Sequence, residues 1–131
     1  MKFGLNASLY EAALAHHNAG RFLEAEHGYR QTLAIDPRHF QSLFMLGMLA
    51  GQNNRHDLAL EFTDQAIAVD PSVAEAHYNR GMALVGLLRN DEAAASFRKA
   101  VRLKPEYLPA STALRQLEEA MQAAKAKAPE A

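Results

Sequence analysis

This sequence has no cysteine and no tryptophan among its 131 residues, and only five prolines and seven glycines. Without thiols it can build no disulfide, no thiolate zinc site and no cysteine nucleophile. Scarce proline and glycine leave long stretches free to be helical. An excess of one charge is also missing. Fourteen basic side chains stand against fifteen acidic ones, a net charge of −1, which offers no general attraction for nucleic acid or an anionic membrane. Apolar runs are short; LFMLGMLAG (43–51) is far below the length of a bilayer crossing, so no membrane insertion is expected. The opening MKFGLNASLYEAALAHH is interrupted by Asn6, Ser8 and Glu11, unlike a secretory leader, and a cytoplasmic setting is the expectation. With 49% apolar and 22% charged residues the composition is that of a globular chain.

What the sequence does have is a period. Pro37, Pro71 and Pro105 lie 34 residues apart, inside AIDPRH, AVDPSV and RLKPEY. Arg21, Arg55 and Arg89 keep the same beat, as do Ala25, Ala59 and Ala93, and Leu33, Ile67 and Val101. Ile35, Val69 and Leu103 form another column, and Ala13, Gly47 and Gly81 a column of small residues. A fixed period of this length is the mark of stacked helical units. Each copy reads as two helices. In the third, AEAHYNRGMALVGLL (74–88) leads to a turn at Arg89-Asn90-Asp91, and EAAASFRKAVRL (92–103) follows, with Asp91 expected to cap it. Gly81, Ala93 and Ala100 sit where helices must approach closely. Gly20 and Asn53-Asn54 suit the left-handed residue that ends a helix, whereas Leu88 holds that place in the third copy at a steric cost.

These residues resemble the tetratricopeptide repeat (TPR), a 34-residue helix–turn–helix unit. The third copy is the most similar, with Tyr78, Gly81, Leu84, Ala93, Phe97, Ala100 and Pro105. The second has Leu43, Leu46, Gly47, Ala59, Ala66 and Pro71, with Thr63 in place of an aromatic; the first has Leu9, Ala13, Gly20, Ala25, Tyr29 and Pro37. His16 and His77 depart from the apolar or aromatic preference. After residue 107, Ala110, Ala113, Leu114, Leu117, Ala120, Met121 and Ala124 form one apolar stripe opposite Arg115, Gln116, Glu118 and Glu119, as a terminal capping helix requires. The resemblance implies an all-α fold, an α-solenoid of stacked antiparallel helix pairs (a TPR superhelix) with about seven helices. The expected division is a single domain over 1–126, with repeats at about 6–39, 40–73 and 74–107, a capping helix at about 108–126 and a disordered tail at 127–131. At the other end only Phe3 and Leu5 are available to cover the first helix.

Chemistry is not expected. His16 and His17 are adjacent and point about 100° apart on a helix, so they cannot chelate one ion together. Glu24 and His27 form one i, i+3 pair without matching pairs elsewhere. No His-Glu-x-x-His, phosphate-cradling glycine loop or nucleophile elbow occurs. The sequence therefore predicts no catalytic residue, no metal and no cofactor. The resemblance implies a concave groove lined by the first helix of each repeat. Its candidates are Tyr10, Leu14 and His17 from the first, with Glu11 and Asn18; Phe44, Met45 and Met48 from the second, with Gln41 and Gln52; and Tyr78, Asn79, Met82 and Val85 from the third, with Glu75. A methionine- and aromatic-rich groove suits a partner helix or peptide, because thioethers repack around varied apolar surfaces.

The family's clamp for acidic chaperone tails would fall on Tyr10, Leu14, Met45, Glu75 and Asn79, which carry almost none of its charge. Its asparagine ladder, known in protein O-glycosyltransferases, keeps only Asn79. The wording HHNAGRFLEAEHGYRQTLAIDP is similar to bacterial TPR segments fused to such transferases. The expected function is a non-catalytic adaptor for a protein partner. The alternatives are a self-assembling, homo-oligomeric TPR module and a regulatory arm of a larger enzyme such as a glycosyltransferase.

Overall fold

The computed structural model describes residues 2–127, and among them there are seven α-helices and no strand. They are α1 (Lys2–Asn18), α2 (Phe22–Ile35), α3 (Phe40–Gln52), α4 (His56–Val69), α5 (Ala74–Gly86), α6 (Asn90–Leu103) and α7 (Leu108–Lys127). The expected tail keeps Lys127 inside α7, and its last four positions lie outside the described residues. None of these helices is long and apolar enough to cross a membrane.

Helices pair as α1–α2, α3–α4 and α5–α6, and each hairpin meets the next through α2–α3, α4–α5 and α6–α7. The 34-residue columns show why. Ala25, Ala59 and Ala93 are buried, so the two helices of each hairpin approach closely. Tyr29 and Phe97 fill the equivalent place in the first and third hairpins. The second has Thr63 there, with its hydroxyl donating to the Ala59 carbonyl (2.6 Å), and Phe62 one residue earlier supplies the aromatic to the core around Tyr29, Leu43 and Leu46. His77, a departure from the repeat pattern, is buried and its Nε2 donates to the Pro71 carbonyl (2.8 Å), which ties α5 to the joint before it.

Two kinds of connection alternate. At the joints, Asp36, Asp70 and Lys104 precede the prolines in extended or near-extended backbone, as the residue before proline must, and their N–H groups donate to Thr32, Ala66 and Ala100 carbonyls. Within each hairpin the turn repeats one geometry. Gly20, Asn54 and Leu88 take φ of 80°, 59° and 61°, and the following N–H groups of Arg21, Arg55 and Arg89 donate five residues back to the His16, Ala50 and Leu84 carbonyls. That is the Schellman closure of a helix end. Leu88 thus adopts the geometry despite its Cβ. The arginine column is the N-cap column of α2, α4 and α6, and none of the three caps with its side chain. Asp91 is therefore not the cap expected of it. It lies in the first turn of α6, while Arg89 pairs with Glu92 at 2.7 Å.

One further column differs from copy to copy. Position 30, 64 or 98 of each hairpin reaches onto the next. The Arg30 guanidinium stands 5.3 Å over the Phe62 ring, Asp64 pairs with Arg80 (2.7 Å), and Arg98 pairs with Glu118 of α7 (3.3 Å). Such exposed pairs contribute at most about 1 kcal/mol each.

Candidate functional site

The first helices of the hairpins approach one another across the array, α3 against α5 and α5 against α7, and the second helices make no comparable contacts among the described residues. The array therefore curves with its first helices inside, and the ten candidate groove residues lie on three of these helices, α1, α3 and α5. None of the ten is fully buried, and Met82 is 46% exposed. They do not form one continuous trough.

Four of them, Met48, Tyr78, Asn79 and Met82, meet in a cleft of about 460 Å³ between α3 and α5. Gly47, Gly51, Gln52, Asn54, His56, Ala59 and Ala83 complete its lining. No carboxylate, ammonium or guanidinium stands in that lining. Gly51 keeps the cleft open, since a Cβ there would touch only Ala59, at 4.0 Å. Asn54 and His56 were not among the candidates. The missed signal was the pair Gly47 and Gly51, one helical turn apart, which strips side chains from one strip of α3.

The other six candidates are drawn toward neighbouring packing. Tyr10 lies 5.8 Å from the Tyr29 ring and 5.0 Å from His39. His39 caps α3, its Nδ1 accepting from the Ser42 N–H (3.2 Å). His17 Nδ1 is hydrogen-bonded to the Tyr29 hydroxyl (3.2 Å), and its ring meets Phe22 edge-on. Burial first, and then the neighbouring Tyr10, push the Tyr29 phenol up to about 12. Phe44 stacks on Phe40 (5.9 Å), Met45 packs on the Tyr29–Leu43 core, and Val85 packs on Leu84 and Phe97. Leu14 stays half-buried on α1. Glu75 is taken up by Lys104 at 3.4 Å. Among the histidines, His16 Nδ1 accepts from Arg21 Nε (2.9 Å), so interhelical and turn hydrogen bonds occupy His16, His17, His39 and His77.

Repeated helical hairpins with a common turn, a common joint and an inner wall of first helices define a solenoid of stacked helix pairs. Two tetratricopeptide repeat family models match residues 10–66 and 74–107, together more than half of the chain. The chain belongs to the tetratricopeptide repeat family, whose fold is typical of protein-interaction scaffolds. The probable UDP-N-acetylglucosamine–peptide N-acetylglucosaminyltransferase SPINDLY of Solanum lycopersicum is 34% identical over 94 residues, covering 72% of this chain and 10% of that protein. The photosystem I assembly protein Ycf3 of Acaryochloris marina is 27% identical over 96 residues, covering 71% of this chain and 58% of that one. The chain thus spans from a tenth to under two thirds of the length of these curated relatives. A solved O-GlcNAc transferase of Thermobaculum terrenum superposes with a TM-score of 0.82 at 28% identity, over 89% of this chain and 22% of that one. The first TPR domain of Spaghetti (RPAP3), bound to an HSP90 peptide, superposes with a TM-score of 0.84 over 89% of this chain and 93% of that one. At 21% identity it is a likeness of fold alone.

Proposed function

We propose that residues 1–126 act as one non-catalytic adaptor domain that holds a peptide or helix of a protein partner against the inner wall. The observation that carries this reading is the uncharged α3–α5 cleft, where the apolar Met48, Tyr78 and Met82 stand beside the amides of Gln52, Asn54 and Asn79. Thioethers and an aromatic ring accept an apolar side chain of variable shape, and primary amides pair with the N–H and C=O of a peptide backbone. The occupant is uncharged where it enters. An acidic tail would bury its carboxylates against no cation, at a cost of several kcal/mol. The remaining candidates, Tyr10, Leu14, His17, Phe44, Met45 and Val85, extend the wall to either side. The reading includes a cytoplasmic setting, supported by the cysteine-free composition, and no nucleic-acid partner, supported by the balanced charge.

The test is affinity capture from native lysate with the wild type and with Phe44→Glu/Met48→Glu. Loss of the captured partner with an unchanged helical dichroism spectrum supports the site; undiminished capture places it elsewhere.

A second reading, a regulatory arm of a larger enzyme, is favoured by the likeness to two glycosyltransferases of which the chain spans 10% and 22%. An antibody against this chain would then detect a native polypeptide far above 14.4 kDa.

A further inference from the structure

The second and third hairpins meet their predecessors through two columns. In the second these are Leu46 and Phe62, both buried in the core shared with the first hairpin. In the third they are Arg80 and Ser96, which bond to each other (2.8 Å) while Arg80 also reaches Asp64 of α4 (2.7 Å). The first hairpin carries Ala12 and Gly28 in those columns. Their small size leaves a hollow of about 410 Å³ between α1 and α2. Its floor is the contact of Ala13 with Gly28, so close that a Cβ on Gly28 would lie 2.6 Å from that of Ala13. Leu23 stands at its edge, 81% exposed, in the column where the other hairpins carry Asp57 and Asp91. A hairpin stacked as the second stacks on the first would find no Leu46 or Phe62 equivalent to meet.

We propose that this face pairs with the same face of a second copy, related by a two-fold axis. The patch is self-complementary, as an isologous interface must be. It carries a protruding apolar side chain beside an apolar hollow, so each Leu23 enters the other copy's hollow. Its polar groups match in the same way, as carboxylate acceptors facing imidazole donors. Glu24 lines the hollow together with His16 and His27, and no ion pair joins them within the chain among the described residues. Across the two-fold axis, Glu24 of each copy faces imidazoles of the other, which fixes the register of the pair. The hollow lies on the outer end of the array, apart from the α3–α5 cleft, so pairing leaves both inner walls open and makes the adaptor bivalent.

The test is light scattering behind a sizing column, from low to several hundred micromolar protein. The expected mass is twice 14.4 kDa at the upper end. Leu23→Asp, which restores the residue of the other two hairpins, is expected to weaken the dimer at least tenfold. Ala12→Leu, which fills the hollow, acts in the same direction, and Phe44→Glu/Met48→Glu leaves the dimer intact. A monomer at every concentration, a ladder of masses beyond two copies, or a dimer indifferent to both Leu23→Asp and Ala12→Leu overturns the proposal.

Discussion

The first hairpin ends its inner turn on Gly20 and opens its second helix with Phe22 and Leu23; the third ends on Leu88 and opens with Asn90 and Asp91. A glycine has given way to a leucine and an apolar pair to a polar one, yet both turns close with the same five-residue hydrogen bond. Their cores differ as well. Tyr29 is hydrogen-bonded to His17 in one, whereas Phe97 has no polar atom in the other. The comparison shows that the backbone path follows the buried columns of small and large residues, and that the turn residue is carried along even when its own preference opposes the geometry. It also separates the two outer faces. That of the third hairpin is covered by α7, and that of the first is hollowed.

The largest break in the comparison comes from the small-residue column. A Cβ on Gly81 would run into the Phe97 ring, whereas Ala13 already carries one because its neighbour is Gly28. Gly81→Leu is expected to cost about 3 kcal/mol in urea denaturation, at the upper end of overpacking effects. A silent substitution would mean that α5 and α6 do not cross there. The turns give a smaller and signed effect. Leu88→Gly should raise stability by about 1 kcal/mol, and Gly20→Leu should lower it by about 1–2 kcal/mol, because only glycine takes the left-handed region without a Cβ clash. Melting temperatures that move in the same direction for both would contradict the shared geometry.

The smallest effect sharpens the contrast of Tyr29 with Phe97. In the folded chain the Tyr29 phenol is held at about 12 against an ordinary value of 10.0, so folding favours its neutral form. The folded state then binds more protons than the unfolded one between those values. The stability this confers is complete below pH 10 and is lost as pH rises toward 12. Tyr29→Phe should flatten that part of the stability profile, and the slope left over belongs to Tyr10 and Tyr107, which burial also raises. An unchanged profile in the variant would remove Tyr29 from the account.

Much of this architecture was legible in the residues. The prolines set the joints, the alanine and glycine columns set the helix crossings, and Gly20 announced its positive φ. Asp91 misled because an aspartate before a helical run reads as a cap. The helix start is set instead by the Arg89 backbone, whose N–H closes α5 on the Leu84 carbonyl and whose carbonyl accepts the first bond of α6 from Ala93, which a side-chain signal cannot reveal. The groove was legible only as a set of positions. Helical spacing places Met48 and Met82 on inner faces, but the narrowing of the wall to one cleft depends on Gly51 and on His56 from the start of α4, a tertiary juxtaposition. The hollow at Ala12 and Gly28 was invisible for the same reason. Small residues declare a missing contact only after the other hairpins show what those columns touch.

The column at positions 30, 64 and 98 tells the junctions of the array apart. Each junction has its own partner: cation on ring, acid on base, base on acid. Short joints fix the neighbours within one molecule, but hairpins of one backbone shape could otherwise be exchanged between two. If the second hairpin were skipped, Arg30 would face Arg80, cation against cation. The hairpins share a shape but not a surface partner, and these weak pairs act less as glue than as an address for each neighbour.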